Sequence, residues 1–114
     1  GDKVLKVFGE LIRQYSRGSD ICCRYGGEEF LLVCSNMVNE KAYERAEQLR
    51  MALLDTPVTF EGAIIKVTAS FGVASYPQHG DTDDALISAA DNALYEAKNA
   101  GRNQVKCYFK TLRV

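Results

Sequence analysis

The chain has no tryptophan, one histidine, two prolines and four cysteines in 114 residues, and its formal net charge is only -1. Each scarcity excludes something. A near-neutral balance gives no bulk attraction to nucleic acid or anionic lipid, so neither is an expected partner and any phosphate binding has to be local. The longest apolar runs are far too short to span a bilayer, and the amino terminus lacks the charged-then-apolar pattern of a signal peptide, so a cytoplasmic location without membrane contact is expected of this segment. Cys22 and Cys23 are adjacent on a strand-like run while Cys34 and Cys107 stand apart, so no zinc-type spacing occurs. The thiols read as small buried hydrophobes in a reducing compartment. His79 sits in the loop 76–80 with no partner near it in sequence, which favours exposure over catalysis.

What is present is an ordinary globular composition, 46% hydrophobic and 25% charged, sufficient for one domain over residues 1–114 with no repeat, linker or low-complexity tract. Val4, Leu5, Phe8, Leu11, Ile12 and Tyr15 recur at helical spacing, with Lys3, Lys6, Glu10, Arg13 and Gln14 on the wet side. Arg17 and Gly18 end that helix. Asn39 is placed to cap a second helix whose apolar face is Ala42, Tyr43, Ala46, Leu49, Leu53 and Leu54, closed by Asp55, Thr56 and Pro57. Glu44, Arg45, Glu47 and Arg50 read most simply as its solvated face. Residues 58–60, a Glu61-Gly62 turn and the β-branched run 64–74 predict a hairpin with a long second arm, in which Gly72 marks a bulge or a close backbone approach. A last helix opens on the carboxylates of Asp81, Asp83 and Asp84 and buries Leu86, Ala90, Ala93, Leu94 and Ala97. It carries Lys98 in its last turn and stops at Gly101, before Arg102 and a final strand over 104–109.

Between the first two helices, strand-like residues 20–25 and the apolar run 30–34 flank Gly26-Gly27-Glu28-Glu29. Glycine reaches the positive φ angles of tight hairpin turns at no steric cost, so the glycines predict a ribbon with two carboxylates at its tip. Successive strand residues face opposite sides, so only one of the two can aim at a given point above the turn. Such a turn can also be no more than a solvated loop.

Arg-Tyr-Gly-Gly-Glu-Glu-Phe over 24–30 resembles the signature of the GGDEF family, the diguanylate cyclases, in its GGEEF form. The stretch 93–103, Ala-Leu-Tyr-Glu-Ala-Lys-Asn-Ala-Gly-Arg-Asn, resembles that family's second recognisable segment, and the resemblance covers the whole chain. It implies an α+β domain with an antiparallel-rich central sheet flanked by helices, akin to the palm fold of nucleotidyl cyclases and polymerases. It also implies condensation of two GTP molecules into cyclic di-GMP, with Mg²⁺ (or Mn²⁺) as cofactor and a homodimer that brings two GTP-loaded domains face to face. In these terms Glu28 is the metal ligand and proton acceptor, and Glu29 is a supporting carboxylate. Gly26 and Gly27 let the nucleotide approach the backbone, and Lys98 and Arg102 hold phosphates. Asp2 has two readings: a carboxylate at the start of the first helix caps it, and the family's Gly-Asp pair recognises the guanine edge.

Arg17-x-x-Asp20 reads locally as a helix stop and turn, and by resemblance as the family's inhibitory site for its product, cyclic di-GMP. The arginine that the family borrows for this site from a later helix aligns with Gln48, flanked by Arg45 and Arg50. The family's first strand and helix, which carry a metal-binding Asp and a guanine-contacting Asn, have no counterpart here, so the domain reads as N-terminally incomplete. Residues 1–114 alone are then expected to show little or no cyclase activity, and the unpaired sheet edges to invite strand exchange. A regulatory domain is expected elsewhere on the full-length chain. The alternative is a catalytically inactive module that binds cyclic di-GMP or GTP and regulates a partner.

Overall fold

The computed structural model describes residues 2–26 and 29–108. Among these residues three helices, α1 (Asp2–Tyr15), α2 (Asn39–Leu54) and α3 (Asp83–Asn99), are interspersed with six short strands: β1 (Ile21–Gly26), β2 (Glu29–Val33), β3 (Val58–Phe60), β4 (Ala63–Ile65), β5 (Phe71–Val73) and β6 (Val105–Cys107). The strands form three two-stranded units among the described residues: antiparallel β1–β2, antiparallel β3–β4 and parallel β5–β6. The architecture is α+β and antiparallel-rich, as the resemblance implies.

The β5–β6 pair is covered on both faces, the usual condition of parallel strands. Val73 and Val105 are buried with Ala46 of α2, and Ala42, Phe71 and Cys107 close around them. Gly72, between Phe71 and Val73, points to the opposite face by strand alternation. A Cβ there would lie 2.1 Å from the carbonyl oxygen of Ala90 and 2.3 Å from the amide nitrogen of Leu94, so backbone meets backbone. Helix α3 can come this close because its inner face is Ala89, Ala93 and Ala97, all buried. The close approach expected at Gly72 is found, without a bulge.

The long second arm expected over 64–74 is not one strand. Only Ala63–Ile65 pairs with Val58–Phe60, across Glu61 and Gly62, whose φ angles of 49° and 80° are those of a primed hairpin turn. Phe71–Val73 instead pairs with the distant Val105–Cys107. One β-branched run thus serves two sheets, because its two ends find different partners.

Three further expectations change. Asn39 is the first residue of α2 rather than its cap: Val38 holds the cap position without a side-chain bond, and Asn39 Oδ1 accepts from the Ser75 hydroxyl at 2.7 Å. His79 is half-buried, its Nδ1 accepting from the Ser75 amide at 2.9 Å and its ring edge-on to Tyr108. Cys22 is exposed and Cys34 and Cys107 are only partly covered, so none of these three thiols is fully buried, although Cys107 packs against the core. Thr82 caps α3 by accepting from the Ala85 amide.

Helix α1 joins the hairpin to the remainder. Phe8 packs edge-on against Phe30 of β2, with ring centroids 5.3 Å apart, and tilted against Phe71 of β5 at 6.1 Å. Ile12 is buried one turn further along, and Lys3 donates to the Thr59 carbonyl.

Replacing Gly72 by alanine is expected to destabilise the fold by about 3 kcal/mol or more, since the obstruction is backbone that cannot rotate away. Urea denaturation measures this, with Gly18→Ala as control because nothing lies within 4 Å of its added Cβ. Equal midpoints for the two variants would contradict the packing described.

Candidate functional site

The hairpin tip and the carboxyl end of α3 meet. Lys98 Nζ lies 3.5 Å from Glu29 Oε1, with the two side chains 38% and 44% exposed. Each partner is placed by its own element. Gly26 ends β1 and pairs with Glu29 at the start of β2, after a register shift between Arg24 and Gly26. Gly26 is therefore a strand residue, not part of the turn. Gly27 and Glu28, between the two strands, lie outside the described residues. So does the side chain of Asp2, which opens α1.

At the other end, α3 stops as its sequence suggests. Gly101 takes a φ of 117°, and the Arg102 amide donates back to the Ala97 carbonyl at 3.0 Å, satisfying an orphan carbonyl of the last turn. The chain then continues through Arg102 and Asn103 at φ 60° and 49°, a left-handed conformation that non-glycine residues seldom hold without support. Several hydrogen bonds provide that support. The Asn103 amide donates to Ser70 Oγ at 3.1 Å, and Gln104 Nε2 donates to the carbonyls of Ala100 and Arg102, each at 3.1 Å. Asn103 Oδ1 accepts from Arg50 Nη1 of α2 at 2.9 Å.

Among the described residues no cluster of three or more His, Cys, Asp or Glu side chains could close on a metal ion. The half-exposed Glu29 carboxylate is nonetheless a hard oxygen donor of the kind Mg²⁺ takes, since that ion fills most of its shell with water and phosphate and needs only one or two carboxylates. Of the tip residues described, Glu29 therefore fits such an ion in donor type.

The second cluster forms behind the hairpin. Asp20, whose side chain is fully covered, receives the Arg17 amide at 2.8 Å, Arg17 Nε and Nη2 at 3.2 and 3.0 Å, and Arg45 Nη1 at 3.1 Å. Arg17 Nη2 also donates to the Ser35 carbonyl at 2.7 Å. Burial pushes the Asp20 carboxyl up, but the Arg17 amide and the guanidinium groups of Arg17 and Arg45 outweigh it and hold the group below its ordinary 3.8. The neighbouring Cys34 thiol is pushed up, by burial first and then by the Asp20 charge.

Beside this cluster is a surface pocket of about 380 Å³ to which Arg17, Lys41, Glu44, Arg45 and Gln48 contribute, together with residues 36–38. Asp20 does not line it. Sequence reading paired Arg17 with Asp20 but left Arg45 and Arg50 on a solvated face. Both are half-buried and each serves a distant element, Arg45 reaching Asp20 and Arg50 reaching Asn103. Helical periodicity reports polarity, not partners, so only the flanking position of Arg45 beside Gln48 hinted at its part.

A domain of this fold, with an acidic hairpin tip meeting a basic helix end, belongs to a recognisable class. The family model "Diguanylate cyclase, GGDEF domain" matches residues 1–104, and the chain belongs to that family. It is similar to diguanylate cyclase A of Treponema denticola, 37% identical over 105 residues that make up 92% of this chain and 28% of that protein. Among solved structures it is similar to the GGDEF domain of YfiN from Pseudomonas aeruginosa, with TM-score 0.89, 30% identity, and coverage of 96% of this chain and 69% of that one. It also resembles the active GGEEF domain of a diguanylate cyclase from Vibrio cholerae, with TM-score 0.84, 35% identity and the same coverage of both chains. The chain thus spans little more than a quarter of the length of that curated relative.

Two outcomes follow. The Glu29–Lys98 pair is half-exposed, so Lys98→Met is expected to change stability by less than about 1 kcal/mol in urea denaturation, leaving any functional loss attributable to the missing charge. Asp20 has a depressed folded-state value, so its contribution to stability is complete above the unfolded value near 3.8 and disappears as pH falls through the folded one. The urea midpoint of wild type should accordingly drop more steeply below pH 4 than that of Asp20→Asn. Parallel profiles would contradict the assignment.

Proposed function

We propose that the chain is the larger part of the catalytic domain of a diguanylate cyclase, which acts in the cytoplasm as a homodimer in which each copy presents one GTP to the other. The observation that carries this reading is the approach of Lys98 to Glu29, which sets a basic helix end against the acidic tip of the GGEEF hairpin. In each half-reaction the 3′-hydroxyl oxygen of one GTP forms a bond to the α-phosphorus of its partner. The bond to the β-phosphate bridging oxygen breaks, and pyrophosphate leaves with the electron pair. Repetition in the opposite sense closes the ring of cyclic di-GMP.

Glu28 accepts the hydroxyl proton, with Glu29 as the supporting carboxylate. Glu28 also holds Mg²⁺ (or Mn²⁺), which when bound neutralises triphosphate charge and makes the hydroxyl easier to deprotonate. Gly26 and Gly27 leave room for the nucleotide against the backbone. Lys98 acts as a mobile point charge and Arg102 as a planar fork on the phosphates, balancing the charge of departing pyrophosphate. Asp2 accepts from the N1 and N2 hydrogens of guanine, a pair of donors adenine lacks. Arg17, with Arg45 and Gln48 around the adjoining pocket, takes the product at the inhibitory site. Asp20 holds that arginine fork in place and joins the ligand only where the internal ion pairs open.

Incubation of the protein that carries this chain with GTP and Mg²⁺ is expected to yield cyclic di-GMP, and Glu28→Ala to lower the rate by about 100-fold or more. Binding of cyclic di-GMP without turnover in the wild type would instead select the regulatory module that reads its ligand through Arg17. Absence of binding by either nucleotide in calorimetry would dismiss both.

A further inference from the structure

We propose that Arg50 of α2 is a positioning residue for Arg102, acting through Asn103. The inference rests on the reading of Arg102 as a phosphate-binding group. The Arg50 side chain is only 16% exposed, and its fork is committed on one edge to Glu47, with Nε to Oε1 at 2.7 Å and Nη2 to Oε2 at 3.1 Å. Those two parallel bonds fix the plane of the guanidinium. With that plane fixed, Nη1 is directed toward the end of α3, where it donates to Asn103 Oδ1 at 2.9 Å. Glu47 is held below its ordinary range, mainly by its hydrogen bonds from Arg50, and Arg50 is correspondingly raised, so the pair stays charged throughout the physiological range.

Asn103 is the residue next to Arg102, and both occupy the left-handed region, at φ 49° and 60°. Two consecutive side-chain-bearing residues persist there only when their surroundings over-determine them. The contacts that do so come from separate elements. Ser70 Oγ, just before β5, accepts from the Asn103 amide, and Arg50 of α2 fixes the Asn103 side chain. The Arg50–Asn103 bond is thus the anchor of the Arg102 turn on the α2 side. Without it, Asn103 can turn its side chain to solvent, the two left-handed residues can relax, and the Arg102 fork no longer approaches phosphates in a fixed direction. Glu47 and Arg50 touch no nucleotide in this scheme. Their effect is on direction alone.

The test is affinity for a GTP analogue that cannot react at its α-phosphorus, measured by calorimetry with Mg²⁺ on the protein that carries this chain. Arg102→Ala is expected to weaken binding about tenfold, the size of one hydrogen-bonded charge contact. Arg50→Ala and Asn103→Ala should each weaken it by a similar factor. The double variant Arg50→Ala/Arg102→Ala should bind no worse than Arg102→Ala alone, since both remove the same contact. A merely structural role would make the two losses multiply. Asn103→Ala removes the acceptor while leaving Arg50 and Glu47 in place, and covers the case in which Arg50→Ala fails to fold. If Arg102→Ala weakens binding while Asn103→Ala binds as wild type, or if the double variant multiplies the losses, the positioning role is overturned and the phosphate reading survives. If Arg102→Ala itself binds as wild type, the phosphate reading fails and this inference with it.

Discussion

The ring of Phe8 packs against both Phe30 and Phe71, and through it α1 fixes the acidic hairpin relative to the β5–β6 layer on which α3 rests. A rigid aromatic contact of this kind resists shear, because its edge-on and tilted geometries are specific in angle as well as distance. Proximity of Glu29 to Lys98 is the outcome: two half-exposed, weakly bound charges are brought together by packing well away from them. Their own attraction is too screened to hold the two elements in register. The hydrophobic frame does the positioning and leaves the charges available.

Much of this frame could be read in the chain itself. The stop of α3 at Gly101, the Glu61-Gly62 turn and the ribbon around Gly26 follow from local rules about φ angles and periodicity, and a glycine inside a β-branched run signalled either a bulge or a close backbone approach at position 72. The break of the run 64–74 into β4 and β5 could not, because β-branched residues mark a strand without naming its neighbour, and the partner of Phe71–Val73 lies beyond the whole of α3. For the same reason Asn39 read as a cap: its side chain suits that place, yet it is engaged by Ser75 across a tertiary contact. Of the candidate site, Lys98, Arg102 and the Gly-Gly-Glu-Glu stretch were visible as residue types. Arg45 and Arg50 were not, since a half-buried arginine and a solvated one occupy the same helical phase.

Helix α2 shows how a polar face can become structural. Arg45 and Arg50 are five positions apart and reach two different parts of the molecule, Asp20 behind the hairpin and Asn103 beside α3. Each guanidinium meets a carboxylate, and no buried side-chain nitrogen or oxygen among the described residues lacks a partner. Such completeness keeps half-buried charge tolerable, because a partner removed from one of these pairs leaves the other poorly solvated. With a net charge of only -1, the electrostatics of the chain is therefore a matter of placement and not of excess.

The contact at Gly72 also bears on motion at the far end of α3. Its backbone is seated on β5 at Ala90 and Leu94, and Lys98 follows a single turn later. Sliding or tilting of the helix so near that seat would press backbone on backbone, so the reach of the Lys98 charge is set mainly by its own aliphatic tether. The positions open to that charge are accordingly those within the arc swept by the tether.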